Sequence, residues 1–348
     1  MKKKVHWLIS ETFKNPIDLL SSNLASIRLR AGIFFHPCFE SFNITFGDNL
    51  DLARDADFLF VSKIGANKIQ YTDSWVKLIA NHKKYFIDYT DDHLNSDSNL
   101  TFFYKSIFKF DSKIITSSNL LKEKLLTANY KNISLIEDPY EIEKQAITTN
   151  NNLKFLWFGH ESNKKYLYKF FDNLNSKDNL EFFILCSYNQ IEIMKIELSK
   201  IKNLKNYNFY IDEWSPWNMI EISKKVSGIL IPGDIKDKRK NGVSNNRLIT
   251  SIALGLPVAA SYYDSYIEFK DYFCNIDSET DLDFFIKDTG RYRDKLRSAQ
   301  SLIDKFSFDA IAKKWLNLLK QEDFPVEENN KFKDKDTKLK FSFNYKLT

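Results

Sequence analysis

The chain of 348 residues is 43% hydrophobic and 28% charged, a globular composition that excludes a disordered or collagen-like polypeptide and gives enough length for two domains with separate cores. Its formal charge of +5 is small and spread out, concentrating only in KDKRK (236–240) and a Lys-rich tail; the basic stripe of a nucleic-acid binder is missing, and no nucleic-acid partner is expected. No apolar run approaches the roughly 18 residues of a membrane span, the opening MKKKVHWLIS turns polar too early for a signal peptide, and Cys38, Cys186 and Cys274 lack the paired spacing of a zinc site or disulfide framework, so a cytoplasmic protein with structural thiols is expected.

From the N-terminus, hydrophobic period and turn signals predict strands at VHWLIS (5–10), FNITFG (42–47), DFLFVS (57–62), KYFIDYT (84–90), KIITSS (113–118) and NISLIED (132–138). Helices fall between most of them, at 71–82, 98–110 and 118–128. The polar stretch PYEIEKQAITTNNN (139–152) reads as a linker. The alternation then restarts with strands LKFLWFG (153–159), EFFILCS (181–187), YNFYID (207–212), SGILIPG (227–233) and PVAAS (257–261), separated by helices near 164–175, 190–202, 216–226 and 244–254. Helices at 290–305 and 308–320 close the fold.

Strands alternating with helices imply parallel sheets covered on both faces. The expected fold class is α/β, with two tandem doubly wound, Rossmann-like domains at 1–145 and 146–325 and a polar, Lys-rich tail at 326–348. In that tail Phe332, Phe341, Phe343 and Tyr345 are candidates for peripheral membrane contact, against a solvated end as the alternative.

In such sheets ligands gather beyond the carboxyl ends of the strands, which singles out the residues that follow each strand. After strand 227–233 come Asp234, the basic loop ending in Lys240, and then Ser244, Asn245 and Asn246 leading into an amphipathic helix with Arg247 in its first turn. Ser and Asn are strong N-caps, and a helix start with free N–H groups suits phosphate. Arg247 and Lys240 are misplaced for the helix dipole and well placed for an anion beside it. WFGHESN (157–163) puts His160 and Glu161 at a strand end as acid–base candidates, with Ser162 and Asn163 able to cap the next helix. In DYTDDHL, Asp88, Asp91, Asp92 and His93 are candidates to bind a metal or to contact an acceptor hydroxyl, against a solvated turn; Arg28, Arg30 and Lys63 are candidate anion contacts or, equally, ion-pair residues. Trp214 and Trp217 either stack on a base or pack against the neighbouring helix. No strand is followed by G-x-G-x-x-G, which disfavours a dinucleotide-dependent dehydrogenase.

NNRLITSIALGLPVAAS resembles the donor-binding segment of GT-B glycosyltransferases, in which a helix, Gly-x-Pro and a short strand follow the nucleotide-sugar loop. IEDP before the linker and LWFGH at the start of the second half agree with that resemblance, which extends over nearly the whole chain. It implies transfer of a sugar from a nucleotide-sugar donor, bound by the second domain, to a glycan or glycolipid acceptor held by the first, without a cofactor or metal. A bacterial surface-polysaccharide setting at the inner face of the membrane would fit a composition rich in Lys, Asn, Ile and Phe.

One departure stands out. Where many retaining members carry two glutamates eight positions apart, this chain has Gly242 and Thr250. Asp234 then becomes the candidate nucleophile or oxocarbenium stabiliser, an arrangement resembling retaining Kdo transferases that use a CMP-linked sugar; a turn-capping Asp is the alternative. A sugar-nucleotide epimerase of the same fold and a non-catalytic sugar- or nucleotide-binding module are the competing functions.

Overall fold

A computed structural model describes residues 1–321 apart from 65–68, 83, 95–98, 111, 175–177, 202–206, 238–239 and 241. The tail 326–348 and its aromatic residues therefore lie outside the described residues.

The strands form two parallel sheets of six. In the first, β1 (Lys3–Leu8), β2 (Phe42–Gly47), β3 (Phe58–Val61), β4 (Tyr85–Tyr89), β5 (Lys113–Thr116) and β6 (Ile133–Leu135) lie in the order β2-β1-β3-β4-β5-β6. In the second, β7 (Lys154–Phe158), β8 (Leu180–Cys186), β9 (Tyr207–Glu213), β10 (Gly228–Ile231), β11 (Val258–Ala260) and β12 (Cys274–Asn275) lie in the order β12-β11-β10-β7-β8-β9. Counted from its own first strand the second order is that of a Rossmann fold, reversing between β7 and β10; the first sheet reverses between β1 and β3.

Strands covered by helices on both faces read as near-continuous apolar runs, and FLFV of β3 is buried throughout. On one face of the first sheet Trp7 stacks on Phe60 at 4.8 Å between ring centroids, and on the other Trp75, Phe103 and Tyr104 pack together. The second sheet likewise has a core on each face, around Leu156 and Ile252 on one side and around Phe171 and Phe182 on the other.

Most predicted strands and helices form within a few residues of their expected ends. Two parts escape the pattern. Residues 11–40 fold into short turns, including the π-helical turn Ile27–Ala31, which local periodicity does not announce. The helix Glu279–Lys287 and the two-residue β12 were also without a sequence signal. The last helix, Phe308–Gln321, follows the second domain in sequence yet packs against the first: Ile311, Trp315 and Leu318 join the cluster around Trp7 and Phe34. Trp315 meets Trp7 edge-on at 5.5 Å.

Candidate functional site

The carboxyl ends of the two sheets face one another across a cleft of about 740 Å³. Lys63 and Asp91–His93 come to it from beyond β3 and β4, Arg28 from the turn after β1; His160, Ser162 and Asn163 come from beyond β7, and Lys240, Ser244, Asn246 and Arg247 from beyond β10. Both switch points therefore open onto it, as expected for a ligand crevice.

The wall of the second domain is built around the helix Asn246–Ala253. Its N-cap is Asn245, which makes no side-chain cap bond; one residue earlier, Ser244 Oγ accepts the Asn246 N–H at 3.2 Å. Its end is closed by Gly255, with φ of +71°, where a Cβ would stand 2.3 Å from the Ala146 carbonyl. Gly-Leu-Pro thus ends the helix where the interdomain segment crosses it, and Gln145 N–H donates to Ala253 O at 2.7 Å.

Arg247 is recessed in this wall. Its guanidinium lies 5.4 Å from the centroid of Trp157 and 5.8 Å from that of Phe158, with Tyr263 and Tyr266 nearby. A Cβ on Gly159 would meet the Trp157 ring at 3.2 Å and the guanidinium at 3.4 Å, so this strand-end glycine lies directly beside the Arg247 head group. Arg247 Nε and Nη2 are buried without a hydrogen-bond partner, and among the described residues no carboxylate pairs with it. Burial pulls its pKa down, with only the two tyrosines acting against the shift. Lys240 is also pulled down by burial; Asp91 opposes this while Lys63 and Arg247 reinforce it. Its Nζ has Ser162 Oγ at 3.4 Å. A buried cation without a counter-ion costs free energy; of these two, Lys240 has Asp91 to answer it, whereas Arg247 has no carboxylate among the described residues.

His160 Nδ1 accepts the Ser162 backbone N–H at 3.2 Å, which leaves the hydrogen of the neutral ring on Nε2. Burial lowers its pKa, so the ring offers a neutral N–H donor at physiological pH.

The wall of the first domain carries as much charge, all of it paired. Asp91 is ion-paired with Lys63 and has His93 Nε2 at 4.0 Å. Burial works against its ionisation, but Lys63, Lys240 and His93 outweigh this and hold the carboxyl well below the usual range. Asp92 accepts from Lys124 Nζ at 3.0 Å. Arg28 Nη2 donates to Glu141 at 2.7 Å, and its guanidinium lies 4.1 Å over the Trp214 ring across the cleft.

Four sequence candidates stand elsewhere. Arg30 is fully buried and tied to Asp88 at 2.6 Å and Asp138 at 2.8 Å, so it braces the first domain and is not a cleft anion contact. Asp234 does not line the cleft: its carboxylate accepts the Lys236 N–H at 2.9 Å, closing a turn, and its own N–H donates to Tyr263 Oη at 3.0 Å. Gly233 is small because of the Tyr263 ring, whose hydroxyl a Cβ would meet at 1.9 Å, and not because a ligand approaches. Glu161 and Asn245 also fall outside the cleft lining, Asn245 being buried. Asn246 lines the cleft, but its Nδ2 is spent on Pro139 O at 2.8 Å.

The sequence reading missed Glu141, Asp138, Tyr263 and Tyr266, all of which line the cleft. The tyrosines follow β11 directly, so the strand-end rule would have found them; Glu141 was hidden in a stretch whose polarity reads as linker. The position matching the second family glutamate, Thr250, is buried, and its hydroxyl oxygen accepts the Glu141 N–H at 3.2 Å. Gly242 packs against Leu121 of the first domain, and its carbonyl accepts from Ser118 Oγ at 2.6 Å. Among the described residues no three metal-binding side chains converge, and no helix is long and apolar enough to cross a membrane.

No family model matches the chain, and no curated protein matches it in sequence. Among solved structures, HepE of Anabaena in complex with UDP and glucose superimposes with a TM-score of 0.62 at 11% identity, over 92% of this chain and 100% of that one. TarM superimposes at 0.53 with 14% identity over 76% of this chain and 54% of that one, so the chain spans about half its length. The lipopolysaccharide outer core galactosyltransferase WaaB, in its apo form, gives 0.51 and 13% over 91% and 99%. At such identities the likeness is one of fold: two parallel α/β sheets facing across a cleft, the GT-B architecture.

Proposed function

We propose that the chain is a glycosyltransferase that binds a nucleotide-sugar in the second domain and transfers its sugar to a hydroxyl held by the first. The observation that carries this reading is Arg247, a recessed guanidinium with unpartnered nitrogens at the switch point of a sheet in Rossmann order. Phosphate supplies the missing counter-charge. Arg247 and Lys240 take the phosphate oxygens, and His160 Nε2–H donates to them. As the bond between the sugar's anomeric carbon and the phosphate oxygen breaks, the electron pair stays on that oxygen and these donors stabilise its growing negative charge, an electrostatic role that needs no proton.

The first wall supplies the acceptor side. Asp91, held ionised, accepts a hydrogen bond from the incoming hydroxyl and orients it. Its depressed pKa makes it a weak base, so the proton released as the new glycosidic bond forms goes to His93, 4.0 Å away, whose ring enters the reaction neutral and leaves Lys63 and Lys240 to hold Asp91 ionised. Attack by Asp234 is no part of this reading, because that carboxylate closes a turn outside the cleft. The retaining, CMP-Kdo form of the reaction rested on it.

HepE, whose structure holds UDP and glucose, makes UDP-sugars the first donors to try. A thermal-shift screen of UDP-, GDP-, dTDP- and CMP-linked sugars, followed by donor hydrolysis assays, tests the reading. A saturable upward shift with at least one donor, abolished in Arg247→Met, is expected. No shift with any donor would sink it.

A further inference from the structure

The second sheet ends on one side at β9, the strand Tyr207–Glu213, with which no further strand pairs among the described residues. Sheets avoid joining edge to edge by means of short edge strands, bulges, or proline and lysine on the outermost strand. The edges at β6 and β12 are of the short kind, with three residues and two. β9 has seven, its register with β8 runs unbroken from Tyr207 to Glu213, and it contains neither proline nor lysine. The Trp214 N–H donates to Cys186 O of β8 at 2.7 Å. By alternation, the backbone groups of Asn208, Tyr210 and Asp212 then point to β8, and those of Phe209 and Ile211 point out of the sheet. Apolar side chains flank this edge on both faces. On one, Tyr210 is half-exposed and its ring stacks on Phe183 at 4.9 Å. On the other, the helix Ile191–Leu198 packs along β9, burying Met194 and Leu198 and leaving Ile193 and Ile196 exposed.

We propose that β9 is a dimer interface, pairing antiparallel with β9 of a second copy of the chain about a two-fold axis at Tyr210. This register matches the whole strand to itself, Tyr207 to Glu213, Asn208 to Asp212 and Phe209 to Ile211. It also has the right backbone phase. Phe209 and Ile211, both pointing outward, exchange their N–H and C=O groups, while Tyr210 faces its own copy at a position without hydrogen bonds, where side chains come closest. No two acids meet: Asn208 lies opposite Asp212 on both sides of the axis and donates its amide hydrogens to that carboxylate, whereas an axis at Asp212 would set two carboxylates against each other. The Tyr210 rings come together on one face of the joined sheet, and the helices that carry Ile193 and Ile196 come side by side on the other. Because β9 runs antiparallel to its copy, the two clefts, each beyond the carboxyl ends of its own strands, open at opposite ends of that sheet and both stay accessible. The contact holds whether or not the chain transfers a sugar.

The test is sedimentation equilibrium of the full chain over a dilution series, with the exposed Asn208 as the point of attack. The wild-type chain is expected to show a monomer–dimer equilibrium. Asn208→Asp sets a like charge against Asp212 on both sides of the axis and should raise the dissociation constant at least about tenfold; Asn208→Lys sets an opposite charge there and should lower it severalfold. The net charge of +5 acts in the other direction, since an added acid reduces the repulsion between copies and an added lysine increases it, so the expected order is specific to this register. Exchanging the two residues, Asn208→Asp together with Asp212→Asn, should restore wild-type association. A wild-type chain that stays monomeric at every concentration overturns the proposal. So does a dimer on which Asn208→Asp and Asn208→Lys act alike or in the reverse order, because the contact then lies on another surface. Open-ended assembly beyond the dimer overturns it too, since a two-fold pairing of one edge closes on itself. Melting curves establish that each variant is folded.

Discussion

Arg30 and Arg247 are both recessed arginines, each with an aromatic ring beside it, and they differ in what answers their charge. Arg30 has Asp88, Asp138 and the Ile136 carbonyl around it, and those anions raise its pKa against the pull of burial. Arg247 has only rings, and burial lowers it. The walls they belong to repeat the contrast: Arg28, Lys63 and Lys124 are matched by Glu141, Asp91 and Asp92, whereas Arg247 has no carboxylate among the described residues. A paired buried charge holds the fold together; an unpaired one costs stability unless something outside the chain answers it.

Replacing each arginine separates the two cases. Arg30→Met strands two carboxylates in the core and should lower the unfolding free energy by about 3–5 kcal/mol, read by urea denaturation. A loss under about 1 kcal/mol would show that the triad is not structural.

A second test uses pH and concerns the first domain alone. His6 is buried, with Nδ1 2.8 Å from Thr45 Oγ1 and Nε2 3.2 Å from Gly47 O, and burial lowers its pKa from 6.5 to about 4. Between those values the unfolded chain binds a proton that the folded chain refuses. Stability conferred by the neutral ring is therefore complete above pH 6.5, falls as pH drops, and levels off below about 4. The expected loss is about 3 kcal/mol at one pKa unit per 1.36 kcal/mol. It should be missing from the pH-dependent denaturation of His6→Gln.

Arg247→Met should do the reverse of Arg30→Met. Stability stays level or rises, because an uncompensated charge leaves the interior, while nucleotide affinity falls about 30- to 100-fold, the worth of a charge-assisted contact. Loss of stability with retained affinity would reverse the assignment. The smallest effect is expected at Asp234→Asn, since Asn also closes such turns. Stability should move by less than about 0.5 kcal/mol, with donor turnover near that of the wild type; collapse of turnover would return Asp234 to the site.

Much of this was legible in the sequence, for a definite reason. FLFV and KFLWF are strands buried on both faces, and their polar continuations, Ser62-Lys63 and Gly159-His160, mark the cleft because strand ends in such sheets must open onto it. The strand-end rule does not say which polar residues are spent locally. Asp234 and Asn246 had the right position and type, but one closes a turn and the other grips Pro139. Arg28 and Arg30, two residues apart, diverge into a cleft clamp and a core brace because their partners Glu141, Asp88 and Asp138 are brought in from distant segments. Those pairings are properties of the tertiary structure, invisible to local pattern.

The return of the last helix to the first domain bears on how the cleft can move. The polypeptide passes between the domains twice, once after β6 and once before residue 308, and the two passages are bonded side by side: Tyr140 N–H donates to Phe306 O at 3.2 Å, and Lys144 is ion-paired with Asp304. A single tether lets two bodies swivel in any direction, whereas two adjoining straps leave one axis. Were the cleft to open or close, the two straps would confine the motion to rotation about this seam, in which Glu141 lies one residue from the strap bond of Tyr140.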